Sequence, residues 1–126
     1  MTVKEKYQPV LDLGEALNVA NGNVEETENK LKVWGTTKTQ YEKNLLWDKI
    51  KEIGGDSPDD IMADIKVEDT SVYHRHIVKS GETLGKIARH YYKDASKYQA
   101  IFEANTDKLK NPDLIYPDQE LVIPNL

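Results

Sequence analysis

Two short apolar stretches open and close the last third of the chain, and they limit what this part of the protein can fold into. The first, Arg75 to Val78, is predicted to be a strand that runs into a corner at Gly81, after which Thr83 can cap a helix. The second, Leu121 to Ile123, follows a turn at Pro117-Asp118 and is predicted to be the closing strand. Antiparallel pairing of these strands would bring the loop after the first close to the loop before the second.

Two predicted helices lie between the strands. The first begins after Thr83, and the second begins near Ser96, which can act as its N-cap, and ends near Asn105. In both segments apolar residues recur three and four positions apart, the spacing that places side chains on one face of a helix. These residues are Leu84, Ile87, Ala88 and Tyr91 in the first helix, and Tyr98, Ile101 and Phe102 in the second. The pattern predicts a β-α-α-β module with a two-stranded antiparallel sheet.

The first half of the chain has a different order of patterns. A helix with its first turn at Pro9 is predicted to stop at Asn21-Gly22-Asn23, and a hairpin follows whose second strand alternates over Lys30 to Gly35. A second helix is predicted over Thr39 to Ile53, where apolar residues again recur at helical spacing. After a break, apolar and polar residues alternate strictly from Ile61 to Val67, as in a half-buried strand. The predicted order is therefore α-β-β-α-β.

Both halves resemble known small domains. The segments Lys79 to Leu84 and Leu114 to Pro124 resemble the opening and closing motifs of the LysM domain, a module that binds glycans containing N-acetylglucosamine. The N-terminal order, with a Val-x-Gly that ends at Gly35, is similar to the BON domain, a small α/β module. We therefore expect an α+β protein with a BON-like domain at residues 1–68, a linker at 69–73 and a LysM domain at 74–126.

The LysM resemblance implies a glycan site between two loops. In that family the sugar lies in a shallow groove, where main-chain groups bond its acetamido groups and apolar side chains lie under its rings. The positions carried over are Gly81, Glu82, Thr83, Leu84, Asp113, Leu114 and Ile115. Purely structural roles are the alternative: Gly81 for a positive φ, Thr83 for the helix cap, and Leu84 and Ile115 for the core.

Two positions depart from the LysM pattern. Glu82 replaces the usual Asp, and Asp118 stands where the family has glycine in a Pro-Gly-Gln turn. A left-handed conformation at Asp118 would be strained unless the turn type differs. The expected ligand is a glycan such as peptidoglycan or a chitin-like oligosaccharide.

The order of the two modules also resembles bacterial cytosolic potassium-binding proteins of BON-LysM architecture, which implies an alternative function as an ion-responsive stress protein. A potassium site needs several oxygens at relaxed distances, most naturally backbone carbonyls of irregular chain. In the N-terminal half the best such stretch is Gly54-Gly55-Asp56. The nearby Asp59 and Asp60 do not complete a calcium loop, because the alternating ligand positions and the distal Glu are missing.

Composition argues against several other functions. The net charge is −5, divided as −6 over residues 1–70 and +1 over residues 71–126, which disfavours nucleic-acid binding. The chain has no Cys, so a Cys-based metal centre is excluded. His74 and His76 are the minimum for a metal pair, but no third ligand is evident.

An enzyme is also disfavoured. Glu82 and Asp113 are two carboxylates across a cleft, as in glycosidases, but the groove of so small a module cannot exclude water well. No Ser-His-Asp order, phosphate loop or dinucleotide fingerprint is present. We therefore expect a non-enzymatic binding protein without a cofactor, apart from the potassium ion of the alternative function.

The N-terminal sequence bears on the compartment. Residues 1–6 have none of the apolar core of a signal peptide, and no apolar run of membrane length follows. We expect a cytoplasmic protein without a membrane partner. If a leader had been trimmed, the periplasm would be the expected place.

Overall fold

The structure is a computed structural model that describes residues 2–126. Helices and small sheets form two units, Met1–Thr70 and Ser71–Leu126. The expected α+β class is confirmed. Within the described residues, none of the helices combines the length and the apolar character needed to cross a membrane.

The N-terminal unit contains a three-stranded sheet with helices on one face. Its elements are α1 (Val3–Lys6), α2 (Gln8–Ala16), β1 (Ala20–Thr27), β2 (Lys30–Thr37), α3 (Gln40–Gly54) and β3 (Ile61–Val67). The strand order is β1-β2-β3, with β1 antiparallel and β3 parallel to β2. The predicted α-β-β-α-β order is present, preceded by the one-turn helix α1.

The core of this unit lies between the sheet and the helices. Alternate residues of β2 are buried, beginning with Leu31 and Val33, because successive side chains of a strand point to opposite faces. The buried apolar residues are Tyr7, Val10, Leu31, Val33, Leu46, Ile50, Ile61 and Ile65. Helix α3 begins where Thr39 caps it, with the Thr39 hydroxyl accepting a hydrogen bond from the Glu42 N–H.

The first helix ends earlier than the sequence predicts. Helix α2 stops at Ala16, and Asn21-Gly22-Asn23 lies inside β1, where the pairing register shifts between Ala20 and Asn23. The cause is the backbone of two asparagines: Asn18 and Asn21 have φ values of 55° and 54°. Asparagine tolerates this left-handed region, so Asn18 ends the helix and Asn21 accommodates the bulge.

The C-terminal unit has the predicted β-α-α-β order. Its elements are β4 (His74–Ile77), α4 (Leu84–Tyr92), α5 (Tyr98–Ala104) and β5 (Glu120–Ile123), with a 3-10 turn at Ala95–Lys97 before α5. Strands β4 and β5 form a two-stranded antiparallel sheet. The predicted cap of α4 is confirmed, since the Thr83 hydroxyl accepts a hydrogen bond from the Lys86 N–H (3.2 Å).

Ser96 does not cap the second helix of this unit. Asp94 caps the 3-10 turn instead: one carboxylate oxygen accepts hydrogen bonds from the Ser96 N–H (2.9 Å) and the Ser96 hydroxyl (2.6 Å). A charged carboxylate is a stronger acceptor than a hydroxyl, and it shifts the start of the helical segment toward the N-terminus. These contacts also hold the pKa of Asp94 below its usual value.

A buried amide holds α5 to β5. Asn105 is 1% exposed, and its side-chain NH2 donates to the carbonyls of Ile101 (2.7 Å) and Val122 (2.8 Å). Its side-chain oxygen accepts a hydrogen bond from the Val122 N–H (2.8 Å). One side chain therefore satisfies main-chain groups of both elements.

Candidate functional site

The loop after β4 and the loop before β5 form the two walls of a groove. This groove has a volume of about 480 Å3, and its lining residues are Glu82, Thr83, Leu84, Gly85, Tyr98, Pro112, Asp113 and Ile115. Five of the seven sequence-predicted glycan positions thus lie together. Gly81 and Leu114 do not line the groove.

The positions from the first loop differ in what they offer a ligand. Leu84 is 2% exposed, so it is mainly a core residue that shows the groove a small part of its surface. Thr83 is exposed but uses its hydroxyl as the cap of α4. Gly81 has a φ of 85°, a conformation that favours glycine, and its carbonyl accepts a hydrogen bond from the Lys86 ammonium (3.2 Å).

The carboxylate of Glu82 is bonded within the protein. Its Oε1 accepts hydrogen bonds from the Lys79 N–H (2.6 Å) and from His76 Nε2 (2.9 Å). Burial opposes ionisation of this group, but the hydrogen bonds from His76 and Lys79 outweigh it, so the pKa of Glu82 lies below its usual value. Glu82 is therefore a carboxylate at neutral pH and serves as an acceptor.

Three lining residues were not predicted as site residues: Gly85, Tyr98 and Pro112. The sequence pattern placed Tyr98 on the apolar face of a helix, yet the side chain is 41% exposed beside the groove. The sequence carried no signal for this, because the helix was predicted to begin near Ser96, whereas in the structure Tyr98 is the first residue of α5. A partly exposed tyrosine supplies a flat apolar face together with a polar end.

The predicted potassium segment starts at the C-terminus of α3. Gly54 is the last helical residue, and Gly55 turns the chain away with a φ of 86°. Pro58 has no N–H, so it cannot close the usual helical hydrogen bond onto the Gly54 carbonyl. A side chain at Gly54 would collide with the Tyr7 hydroxyl and with Pro58, so this position requires glycine.

Asp60 lies beyond the predicted segment Gly54-Gly55-Asp56 and fixes the end of the loop that contains it. Its carboxylate accepts hydrogen bonds from the Tyr7 hydroxyl (2.5 Å) and the Lys6 ammonium (2.6 Å), and its carbonyl accepts one from the Leu31 N–H (2.9 Å). The hydrogen bonds from Lys6 and then Tyr7 hold the pKa of Asp60 below its usual value. Burial, followed by the contact with Asp60, raises the pKa of Tyr7.

Side chains alone do not build a metal site in residues 2–126. Nowhere in this range do three or more His, Asp or Glu side chains converge in a way that could hold a metal ion. Both nitrogens of His76 are bonded, to Glu82 and to Tyr91 (2.7 Å). A cation bound to the segment after α3 would therefore depend mainly on backbone oxygens.

Both units are similar to known proteins. The LysM domain family matches residues 76–124. The potassium binding protein Kbp of Escherichia coli O6:H1 is 37% identical over 103 residues, which is 81% of this chain and 68% of Kbp. An uncharacterized protein of Deinococcus radiodurans is 48% identical over 65 residues, which is 50% of this chain but 24% of that protein.

The match to Kbp is longer than the unit Ser71–Leu126, so it extends from the LysM domain into the N-terminal unit. At 37% identity this similarity reflects common descent rather than a shared small fold alone. The chain therefore belongs to the family of the potassium binding protein Kbp and carries a LysM domain at residues 76–124.

Proposed function

We propose that this protein binds potassium ions and is not a catalyst. The observation that carries the proposal is the similarity to Kbp over 81% of the chain. A LysM match alone would account for residues 76–124 only. The N-terminal unit therefore shares in the similarity to a protein whose name states potassium binding.

The segment from Gly54 to Asp59 is the place we propose for the ion. Gly54 and Gly55 have no side chains to shield their carbonyls, and a Cβ at Gly55 would meet no atom within 4 Å. The Tyr7 hydroxyl lies beside Gly54 and donates to Asp60, so Tyr7 holds the loop at the start of the segment and just beyond its end. A loop of irregular backbone that is fixed by such contacts suits a weakly hydrated monovalent cation, which accepts carbonyl oxygens as ligands.

Thermal unfolding in KCl and in NaCl at equal ionic strength tests this function. Both tryptophans, Trp34 and Trp47, lie in the N-terminal unit, so tryptophan fluorescence follows that unit. A selective ion at 100 times its Kd would stabilise the folded state by about 2.7 kcal/mol. We expect a higher Tm in KCl, and equal Tm values in the two salts would rule the function out.

The variant Asp56→Asn separates carbonyl ligands from carboxylate ligands. It removes the charge and leaves the backbone unchanged, so carbonyl coordination predicts a potassium response like that of the wild type. Loss of the response in this variant would show that the Asp56 carboxylate is itself a ligand.

A second function is favoured by the groove of the C-terminal unit. We infer that it recognises a glycan containing N-acetylglucosamine, in keeping with the LysM domain found at residues 76–124. Tyr98 and Ile115 offer apolar surface for a sugar ring, and Gly85 allows close approach of the backbone. The carboxylates of Glu82 and Asp113 favour a neutral oligosaccharide over an anionic polymer.

Titration of 15N-labelled protein with chitotetraose tests this second function. We expect shifts at the amides of Thr83, Asp113 and Ile115, and none with cellotetraose, which lacks acetamido groups. Tyr98→Ala should weaken binding about tenfold, equivalent to about 1.4 kcal/mol. Tyr116→Ala is the matched control, because Tyr116 is 61% exposed and does not line the groove. No response to millimolar chitotetraose would dismiss glycan recognition.

A further inference from the structure

A hydrogen-bonded chain links β4, α4 and the first wall of the groove. The Tyr91 hydroxyl oxygen lies 2.7 Å from His76 Nδ1, and His76 Nε2 lies 2.9 Å from Glu82 Oε1. The His76 side chain is 13% exposed and Tyr91 is 8% exposed, so both are largely shielded from water. Neither ring nitrogen is left for a ligand.

The direction of these bonds follows from the chemistry of the end groups. The ionised Glu82 can only accept, so His76 Nε2 carries the hydrogen and donates it. In the neutral imidazole, Nδ1 is then an acceptor, and the Tyr91 hydroxyl donates to it. A neutral His76 therefore satisfies the whole chain.

The same carboxylate oxygen closes the corner. Glu82 Oε1 accepts the Lys79 N–H (2.6 Å), and the Glu82 N–H donates to the Lys79 carbonyl (3.2 Å). These two bonds join the ends of the turn that has Ser80 and Gly81 at its tip. His76 thus holds the side chain that closes the turn, and Glu82 and Thr83 at its end line the groove.

We propose that His76 is a positioning residue of the glycan groove, holding Glu82 against the Lys79 amide so that the wall formed by residues 82–84 keeps its shape. The inference rests on the proposed glycan recognition. It also gives Glu82 a role: the longer side chain, where LysM domains have Asp, reaches back to the imidazole.

Other groups around His76 are consistent with this role. His74, on the same strand, and His90, on α4, contact the Tyr91 ring, with ring centroids 5.6 and 4.8 Å away. On the neighbouring strand His76 is paired with the buried Leu121. Glu82 is the acidic side chain bonded to His76, and the contact with Tyr91 fixes the plane of the imidazole.

Two substitutions, His76→Gln and His76→Asn, distinguish the effect of the bond to Glu82 from the effect of losing the imidazole ring. Gln at position 76 can place its amide N–H where Nε2 lies, whereas Asn is one methylene shorter and does not reach Glu82. In His76→Asn we expect hydrogen exchange of the Lys79 amide to accelerate and chitotetraose affinity to fall, each by about tenfold, which corresponds to about 1.4 kcal/mol. His76→Gln should retain most of the protection and affinity.

Each outcome either supports or overturns the positioning role of His76. If the wild type binds chitotetraose and the two variants behave alike in exchange and affinity, His76 has no positioning role, although glycan recognition stands. If the wild type binds no chitotetraose, the recognition and the role fall together. Should His76→Asn not fold, Glu82→Asp replaces it: the shorter carboxylate does not reach His76 Nε2, and unchanged Lys79 exchange and affinity there would overturn the role.

Discussion

Asp118 occupies the position of the closing turn where the LysM family has glycine, and its φ of 70° lies in the left-handed region. The turn keeps its hydrogen bond from the Gln119 N–H to the Tyr116 carbonyl (3.2 Å), with Pro117 at its second position. The Asp118 N–H donates to the Val78 carbonyl (2.7 Å), which ties the turn to the first strand of the module. Aspartate is among the few residues with a side chain that tolerate this conformation, so the turn survives the loss of glycine at some cost.

Asp118→Gly should therefore stabilise the C-terminal unit. We expect a gain of about 0.5–1 kcal/mol, because glycine adopts this φ without strain while its greater freedom in the unfolded chain offsets part of the gain. Urea unfolding followed by circular dichroism measures the change. Asp107→Gly is the control, since Asp107 does not have a positive φ and the change there should be neutral or destabilising. A less stable Asp118→Gly would mean that the carboxylate contributes more than the strain costs.

Among the helices and strands, the elements with one regularly buried face were predicted most accurately. The range predicted for β3, Ile61 to Val67, is the observed one, and α3 differs by one residue at each end, because one face of each packs on the core. All eight residues of β1 are exposed, and main-chain pairing with β2 holds the strand. A strand without a buried face leaves no alternation in the sequence, and its start at Ala20 could not be predicted.

For the groove, too, the sequence predicted only part of the arrangement. Motif positions predicted most of its lining, because they follow the loops of the fold. The bonds of His76 to Tyr91 and Glu82 depend on how β4 faces α4, and no spacing along the chain reveals that contact.

Across the molecule, both units contain carboxylates whose pKa is lower than usual: Asp60 in the N-terminal unit, and Glu82 and the exposed Asp94 in the C-terminal unit. A lowered pKa means that each group stabilises the folded state above its unfolded pKa, about 4 for either side chain. That stabilisation is lost as the pH falls through the folded value. Both units should therefore lose stability in acid, each through its own carboxylates.

Acid unfolding of the variants Asp60→Asn and Glu82→Gln checks what these two carboxylates contribute to the pH dependence of each unit. Asp60→Asn should flatten the pH dependence of tryptophan-detected stability between about pH 5 and pH 3, because the titrating group is gone. Glu82→Gln should leave the tryptophan-detected curve unchanged and partly flatten the one measured from C-terminal amide signals, because Asp94 still titrates in that unit. Identical pH profiles for the wild type and Asp60→Asn would contradict the assignment.

The Asn105 amide has a consequence for the exposed edge of the C-terminal sheet. An edge strand normally presents free N–H and C=O groups, which are a template for pairing with another chain. In β5, both main-chain groups of Val122 are already bonded to Asn105. The middle of this edge is closed from within by a side chain that takes the place of a neighbouring strand, so Val122 offers no free main-chain group for pairing with another chain.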